Sequence, residues 1–276
     1  MTNRFSITYS YYFRNYYRSR SFYLMLLLVL LVSGLMVYLS FRYLNKLPDF
    51  IPQLKGKAIS TSLKEDLFLY IWAFVLSDLP VFAAVFFGSP AISSEIENRT
   101  AFQIFPLPIG RSVLLMGKYL ASVSVTLVIT AIYILVEVVT YLIVFPGQLP
   151  VTFLQSIGLL AVFIFSISAF TFLVSSIFKK NLYAYITVFL IYFIIFSAMN
   201  IVFELIYSYN PFFLLDNAAS IVERVFVNVS TSTFAVNNSI QGASISSIMV
   251  ALLVMVLYLV VSLVIALLIF ENKEVK

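Results

Sequence analysis

The chain has 276 residues, of which 62% are hydrophobic and 11% charged, with a net charge of +5. A soluble domain carries about 25% charged residues, so this chain could not cover its own surface in water, and lipid is the natural solvent for most of it. It contains no cysteine and no histidine, which excludes disulfides, the usual zinc and copper sites, Ser-His and Cys-His nucleophile pairs and imidazole proton relays.

In a membrane protein the placement of basic residues matters more than their sum, and nucleic acid is not an expected partner. The chain opens with RFSITYSYYFRNYYRSRSF, in which arginines alternate with aromatic rings. Rings settle at headgroup level and arginines reach toward phosphate, so residues 4–21 are expected to form an interfacial helix on the membrane surface. Arg14 and Arg18 would share one of its faces.

A bilayer core about 30 Å thick needs about 20 apolar helical residues to cross it. Runs of that length occur at about 22–41, 67–88, 119–145, 153–178, 182–207 and 245–270. The first carries no charge and exceeds the ~7 to 15 apolar residues of a signal peptide, so it reads as a retained span. The expectation is a single transmembrane domain, all-α and polytopic, with six helices.

Between the second and third spans lies SSEIENRTAFQIFPLP, residues 93–108, a break of charge and proline in an apolar chain. Ser93 or Ser94 is expected to cap a short helix with Glu95 and Glu97 in its first turn, and Pro106 and Pro108 to stop it by about residue 104. Arg111 and Lys118 follow on what reads as a second short helix leading back into lipid. Beyond the fifth span, residues 208–244 are too long for a simple turn. Pro211 is a stop, Asp216 or Asn217 a cap, and Ala218, Ile221, Val222 and Val225 line one helical face, which fits a short re-entrant or surface helix. The Ser/Thr/Asn-rich stretch after it reads as an external loop, with acceptor-type triplets at Asn228 and Asn237.

Three acids fall within spans: Asp78, Glu137 and Glu204. An ionised carboxylate in lipid is costly and normally turns toward a partner or a watery cavity, so each is a candidate for a translocation path. Pro80, close to Asp78, predicts a kink. Of the 17 lysines and arginines, eleven lie on one side of the six-helix topology and six on the other, so both termini are expected in the cytoplasm of a plasma-membrane protein.

The break after the second span resembles the corresponding loop of type 2 ATP-binding-cassette (ABC) exporter permeases. Its pattern of Glu, Gly-Thr, an apolar stretch, Pro, Arg and then Gly-Lys maps onto Glu95 or Glu97, Thr100, Pro106 or Pro108, Arg111, and Gly117 with Lys118. Arg99 stands where the family commonly has glycine. The resemblance extends over the interfacial helix, the six spans and the long outer segment. It implies that residues 93–112 couple to a separate ABC ATPase, two copies per complex, and that a second permease copy or a homologue completes the pathway. It also implies export.

No G-x-x-x-x-G-K-[ST] phosphate loop occurs, so the chain is not expected to be an enzyme by itself or to bind a cofactor. ATP would act through the partner. The competing reading is an ion-gradient-driven secondary transporter or channel using the intramembrane carboxylates, although no internal repeat of the kind such folds show is evident. Nothing in the sequence selects a cargo.

Overall fold

Backbone amides and carbonyls in lipid must be satisfied within the segment that carries them, and apolar runs of this length do so as helices. The computed structural model describes residues 2–43, 61–100, 109–207, 211–225 and 243–272, and no strand occurs among them. In chain order the helices are α1 (Thr2–Tyr17), α2 (Arg20–Tyr43), α3 (Thr61–Gly88), α4 (Pro90–Glu97), α5 (Arg111–Val144) and α6 (Val151–Ile177). A rod follows, made of α7 (Asn181–Phe189), a π-helical segment (Leu190–Phe196) and α8 (Ser197–Tyr207); then come α9 (Leu215–Arg224) and α10 (Ile245–Glu271). Six stretches are long and apolar enough to cross a membrane: α2, α3 with α4, α5, α6, the Asn181–Tyr207 rod and α10.

Burial sorts these helices into layers. The most apolar window is 67% buried in α3–α4 and 61% in α6, against 22% in α2, 17% in the rod and 22% in α10. Helices α3 and α6 therefore form the inner layer, and the others keep broad apolar faces such as Leu27, Leu31, Leu253 and Leu257 for lipid or another protein. Helix α6 touches α3, α4, α5, α7, α9 and α10.

Lipid is as apolar as leucine, so these helices gain little from hydrophobic burial and need close backbone approach and interhelical hydrogen bonds instead. Two glycines provide the approach. A Cβ on Gly88 would stand 2.0 Å from Thr171 Oγ1 of α6, and one on Gly117 would stand 2.8 Å from Thr8 Cγ2 of α1. Hydrogen bonds add cross-links: Ser166 donates to the Met255 carbonyl at 2.7 Å, Tyr119 to the Phe165 carbonyl at 2.9 Å, and Trp72 Nε1 to Ser40 Oγ at 3.0 Å.

Several local expectations change. Helix α4 begins at Pro90, with Ser89 in the N-cap position, so Ser93 and Ser94 lie inside the helix and Glu95 and Glu97 in its last turns rather than its first. Proline at the first helical position gives up no hydrogen bond, which is why the start moves upstream. The helix ends at Glu97, before the proline pair is reached. Arg111 opens α5 and Lys118 lies within it, so both belong to the long third-span helix rather than to a short one of their own. Pro80 sits inside a continuous α3, where it withholds one backbone donor.

Candidate functional sites at the two ends of the bundle

At the end of the bundle where α1 lies and α10 finishes, α4 is held by neighbours from five helices. Its first-turn amides, orphaned by helix geometry, are met by α6: Ser175 Oγ accepts from Ile92 N at 3.0 Å and Ser93 N at 3.1 Å. Lys118 of α5 is buried; it donates to the Ala91 carbonyl at 2.7 Å and forms an ion pair with Glu95. Tyr12 of α1 donates to the same Glu95 carboxylate at 3.1 Å, and the Lys118 ammonium lies 4.8 Å from the Tyr12 ring centre. Burial, with the Glu95 charge beside it, pushes the Tyr12 hydroxyl far above the usual phenol range, so it stays a donor.

Two further links run to the rod. Ser93 Oγ donates to Asn181 Oδ1 at 2.7 Å, and Glu97 Oε2 accepts from Asn181 N at 2.8 Å. Asn181 opens α7, so Glu97 places an acceptor and a negative charge at the positive end of that helix. Arg111 donates to the Glu271 and Phe270 carbonyls at the end of α10, where a cation complements the helix dipole.

The residues read as a coupling surface thus divide. Glu95 and Lys118 face inward and pair with each other, so neither presents its charge outward. Arg111 reaches α10. Glu97, Asn98, Arg99 and Thr100 are exposed at the C-terminal tip of α4. Arg99 has φ 58°, the left-handed conformation that glycine adopts at low cost, and it follows the helix directly. Pro106 and Pro108 lie outside the described residues.

The opposite end carries acids. Asp78 is half-buried on α3, and its carboxylate lies within electrostatic reach of Asp216 on α9. Glu223, two turns along α9, feels both of them and the guanidinium of Arg224. Asn200 of α8 donates to Asp216 Oδ2 at 2.7 Å. Burial raises the Asp216 carboxyl and pushes Glu223 up to about 7; Asp78 and Asp216 add to the Glu223 rise, while Arg224 opposes it. Tyr192, in the π-helical segment, is buried with its hydroxyl unpartnered, as is Glu223 Oε2.

Glu137 stands apart from this cluster. It is buried in α5 with neither carboxylate oxygen hydrogen-bonded. Glu204 lies in α8, and its side chain is outside the described set. Asn228 and Asn237 likewise fall outside the described residues. On α9, Ala218, Ile221 and Val222 are buried and Val225 half-buried, the face expected from their spacing.

Sequence reasoning missed Tyr12, Ser175 and Asn181 at the first end and Asp216 and Glu223 at the second. The first three lie 82 to 88 positions from their α4 partners, or 83 for Tyr12 to Glu95, and no local pattern marks them. The α9 acids had a signal, since Asp216, Ser220 and Glu223 share one face of a helix whose other face is apolar.

A family model for ABC-2 family transporter protein matches residues 12–275, nearly the whole chain. No curated protein matches the chain closely enough to count as a relative. With six span-length apolar helices, an all-α fold and that family match, the chain belongs to the ABC-2 family of transporter proteins and is a multi-pass membrane permease of an ABC transporter.

Proposed function

We propose that this permease is one half of an export pathway, completed by a second copy or a homologue and driven by two copies of a separate ABC ATPase that dock on the α4 segment from the cytoplasm. The observation that carries the reading is the construction of the α4 junction. A solvated loop needs no buried ion pair, yet α4 is tied to α1 through Tyr12, to α5 through Lys118, to α6 through Ser175 and to α7 through Asn181. Among the described residues of the segment, the tip at Glu97 to Thr100 is exposed.

Such a junction converts a push on the tip into movement of several spans. When the ATPase pair closes around ATP, force delivered at Arg99 and Thr100 reaches α5 and α6 through contacts that are short and largely shielded from water. Glu95 and Lys118 act as positioning residues and Arg99 and Thr100 as contact residues. The +5 net charge and the arginines of α1 suit a headgroup-level helix on the same side, with both termini in the cytoplasm and the protein in the plasma membrane.

Co-purification with a co-expressed ABC ATPase, and stimulation of that ATPase in proteoliposomes, tests the reading. Arg99→Glu with Thr100→Arg is expected to abolish stimulation while the permease still inserts. Transport driven by an ion gradient with no ATPase present would overturn it in favour of a secondary carrier.

A further inference from the structure

At the far end of the bundle α9 packs against α3 and touches the π-helical segment, which brings acids and aromatic rings into one cluster. Asp78 of α3, Asp216 and Glu223 of α9 and the hydroxyl of Tyr192 lie within electrostatic reach of one another. Asp78 and Asp216 are partly exposed, so the cluster is open to solvent or to the bilayer. Among the described residues, Arg224 on α9 and Tyr70 on α3 are the further charged or titratable groups that Glu223 interacts with, so one described cation faces three carboxyls.

Two observations separate this from an ordinary acidic surface. Tyr192 is 1% exposed and Glu223 9% exposed, yet the Tyr192 hydroxyl and Glu223 Oε2 have no hydrogen-bond partner. Buried polar atoms are normally paired, and ionisable groups among membrane helices usually face a partner or a watery path. Tyr192 also sits in a seven-residue π-helical segment, a costly local geometry that is frequent at functional sites.

One turn along α3 from Asp78, Phe82 begins a half-buried aromatic cluster. Its ring centre lies 5.5 Å from that of Phe189 and 5.3 Å from that of Phe193, and the Phe189 and Phe193 rings stack at 5.9 Å. Tyr192 meets Phe193 edge-on at 5.1 Å. Carboxylates attract a positive charge, and ring faces accept both a cation and the apolar body attached to it. The acids are not gathered tightly enough to hold a metal ion, since among the described residues no group of three acids is placed to do so. The spacing suits a larger, diffuse charge.

We infer that this cluster is a binding site for a lipophilic organic cation, with Asp78, Asp216 and Glu223 facing the charge, Tyr192 positioning it, and Phe82, Phe189 and Phe193 facing the apolar body. The inference rests on the export reading above only for calling that cation a cargo. Binding itself is a property of this chain and is measured without an ATPase.

The test uses the full-length chain in lipid nanodiscs and radiolabelled tetraphenylphosphonium as the probe, with neutral triphenylphosphine oxide as competitor. Saturable binding is expected, with no displacement by the neutral compound. Asp78→Asn and Glu223→Gln are each expected to weaken it by about 10-fold or more, the loss of one close charge partner. Tyr192→Phe, which removes one hydrogen-bonding group, is expected to weaken it a few-fold, and Asp78→Glu to retain most of it. Each variant must elute as the wild type does, and any that does not is replaced by the Asp78→Asn, Asp78→Glu pair, in which only the charge separates the outcomes. Non-saturable partitioning, displacement by the neutral compound, or equal binding in the Asp78→Asn, Glu223→Gln double variant would overturn the site. Loss of ATPase capture with binding intact would remove the export reading and leave the binding site standing.

Discussion

The two ends of the bundle handle buried charge in opposite ways. Near α1, Glu95 is matched by Lys118 and hydrogen-bonded by Tyr12, so the charges are met inside the protein. Near α9, Asp78, Asp216 and Glu223 face one another with Arg224 as the nearby cation, and among the described residues no ion pair joins any of them, although each end leaves one carboxylate oxygen without a hydrogen bond, Glu95 Oε2 and Glu223 Oε2. A paired charge fixes geometry, because moving either member strands the other in a low dielectric. An unpaired cluster stores a cost that a proton or a ligand can relieve. The first end is built to hold a shape, and the second to respond.

Breaking the pair gives the largest expected effect. Lys118→Met leaves Glu95 buried without its cation and is expected to cost about 3 to 5 kcal/mol, the usual penalty for stranding one member of a buried ion pair. Thermal loss of the monodisperse peak in size-exclusion chromatography reads the shift. Adding Glu95→Gln to Lys118→Met is expected to recover most of the loss, since the stranded charge is then gone. A single variant as stable as the wild type would mean that the pair is not what holds α4.

Next comes the backbone approach that brings Tyr12 to Glu95. Gly117→Val would place its Cβ 2.8 Å from Thr8 Cγ2 and 3.4 Å from the backbone nitrogen of Tyr9, so α1 must lift from α5. Overpacking of this kind costs about 1 to 3 kcal/mol. Limited proteolysis is expected to cut α1 faster in this variant, whereas an Ala at Gly34, where a Cβ meets nothing within 4 Å, is expected to change nothing.

The unpaired end should respond to pH with a definite sign. The Glu223 carboxyl is raised from 4.5 to about 7 in the folded protein, chiefly by burial, so the fold holds that proton more tightly than the unfolded chain does. Its contribution to stability is full below about 4.5 and is lost as pH rises through about 7. Glu223→Gln should flatten the stability profile across that window. Asp78→Asn should do so partly, by removing one of the charges that raises Glu223. A pH profile unaltered by Glu223→Gln would show that the residue is already paired in the membrane.

Legibility in the sequence followed range along the chain. Spans were legible because a 20-residue apolar run has one stable solution in lipid, and the α9 face was legible because its spacing is local. The α4 segment was visible as a charged break, but its start was placed late. Serines are good caps, and Pro90 decided the matter by occupying the first turn at no cost. The inward turn of Glu95 was not legible at all. Its direction depends on Lys118 and Tyr12, which reach it through tertiary packing, and the same carboxylate on an open helix would face water. Of the α9 acids, Asp216 was read as a cap and Glu223 was not singled out, because nothing local placed Asp78 beside them.

Arg99 carries the smallest effect and the one most specific to this chain. The resemblance to exporter permeases set glycine at this position, and the backbone explains why: φ is 58° at the residue that follows the Asn98 C-cap. A side chain in that conformation costs about 1 kcal/mol, which glycine avoids. Two local bonds back to the last turn of α4 hold the turn nonetheless, since Arg99 N donates to the Ile96 carbonyl at 3.2 Å and Thr100 Oγ1 to the Glu95 carbonyl at 3.3 Å. Arg99→Gly is therefore expected to raise thermal stability slightly, and Arg99→Val, β-branched and poorly suited to positive φ, to lower it. If the guanidinium contacts an ATPase, Arg99→Gly would lose coupling while gaining stability, and Arg99→Lys would keep the charge and most of the coupling. Stability and coupling falling together in Arg99→Gly would instead make the turn, rather than the charge, what the partner reads.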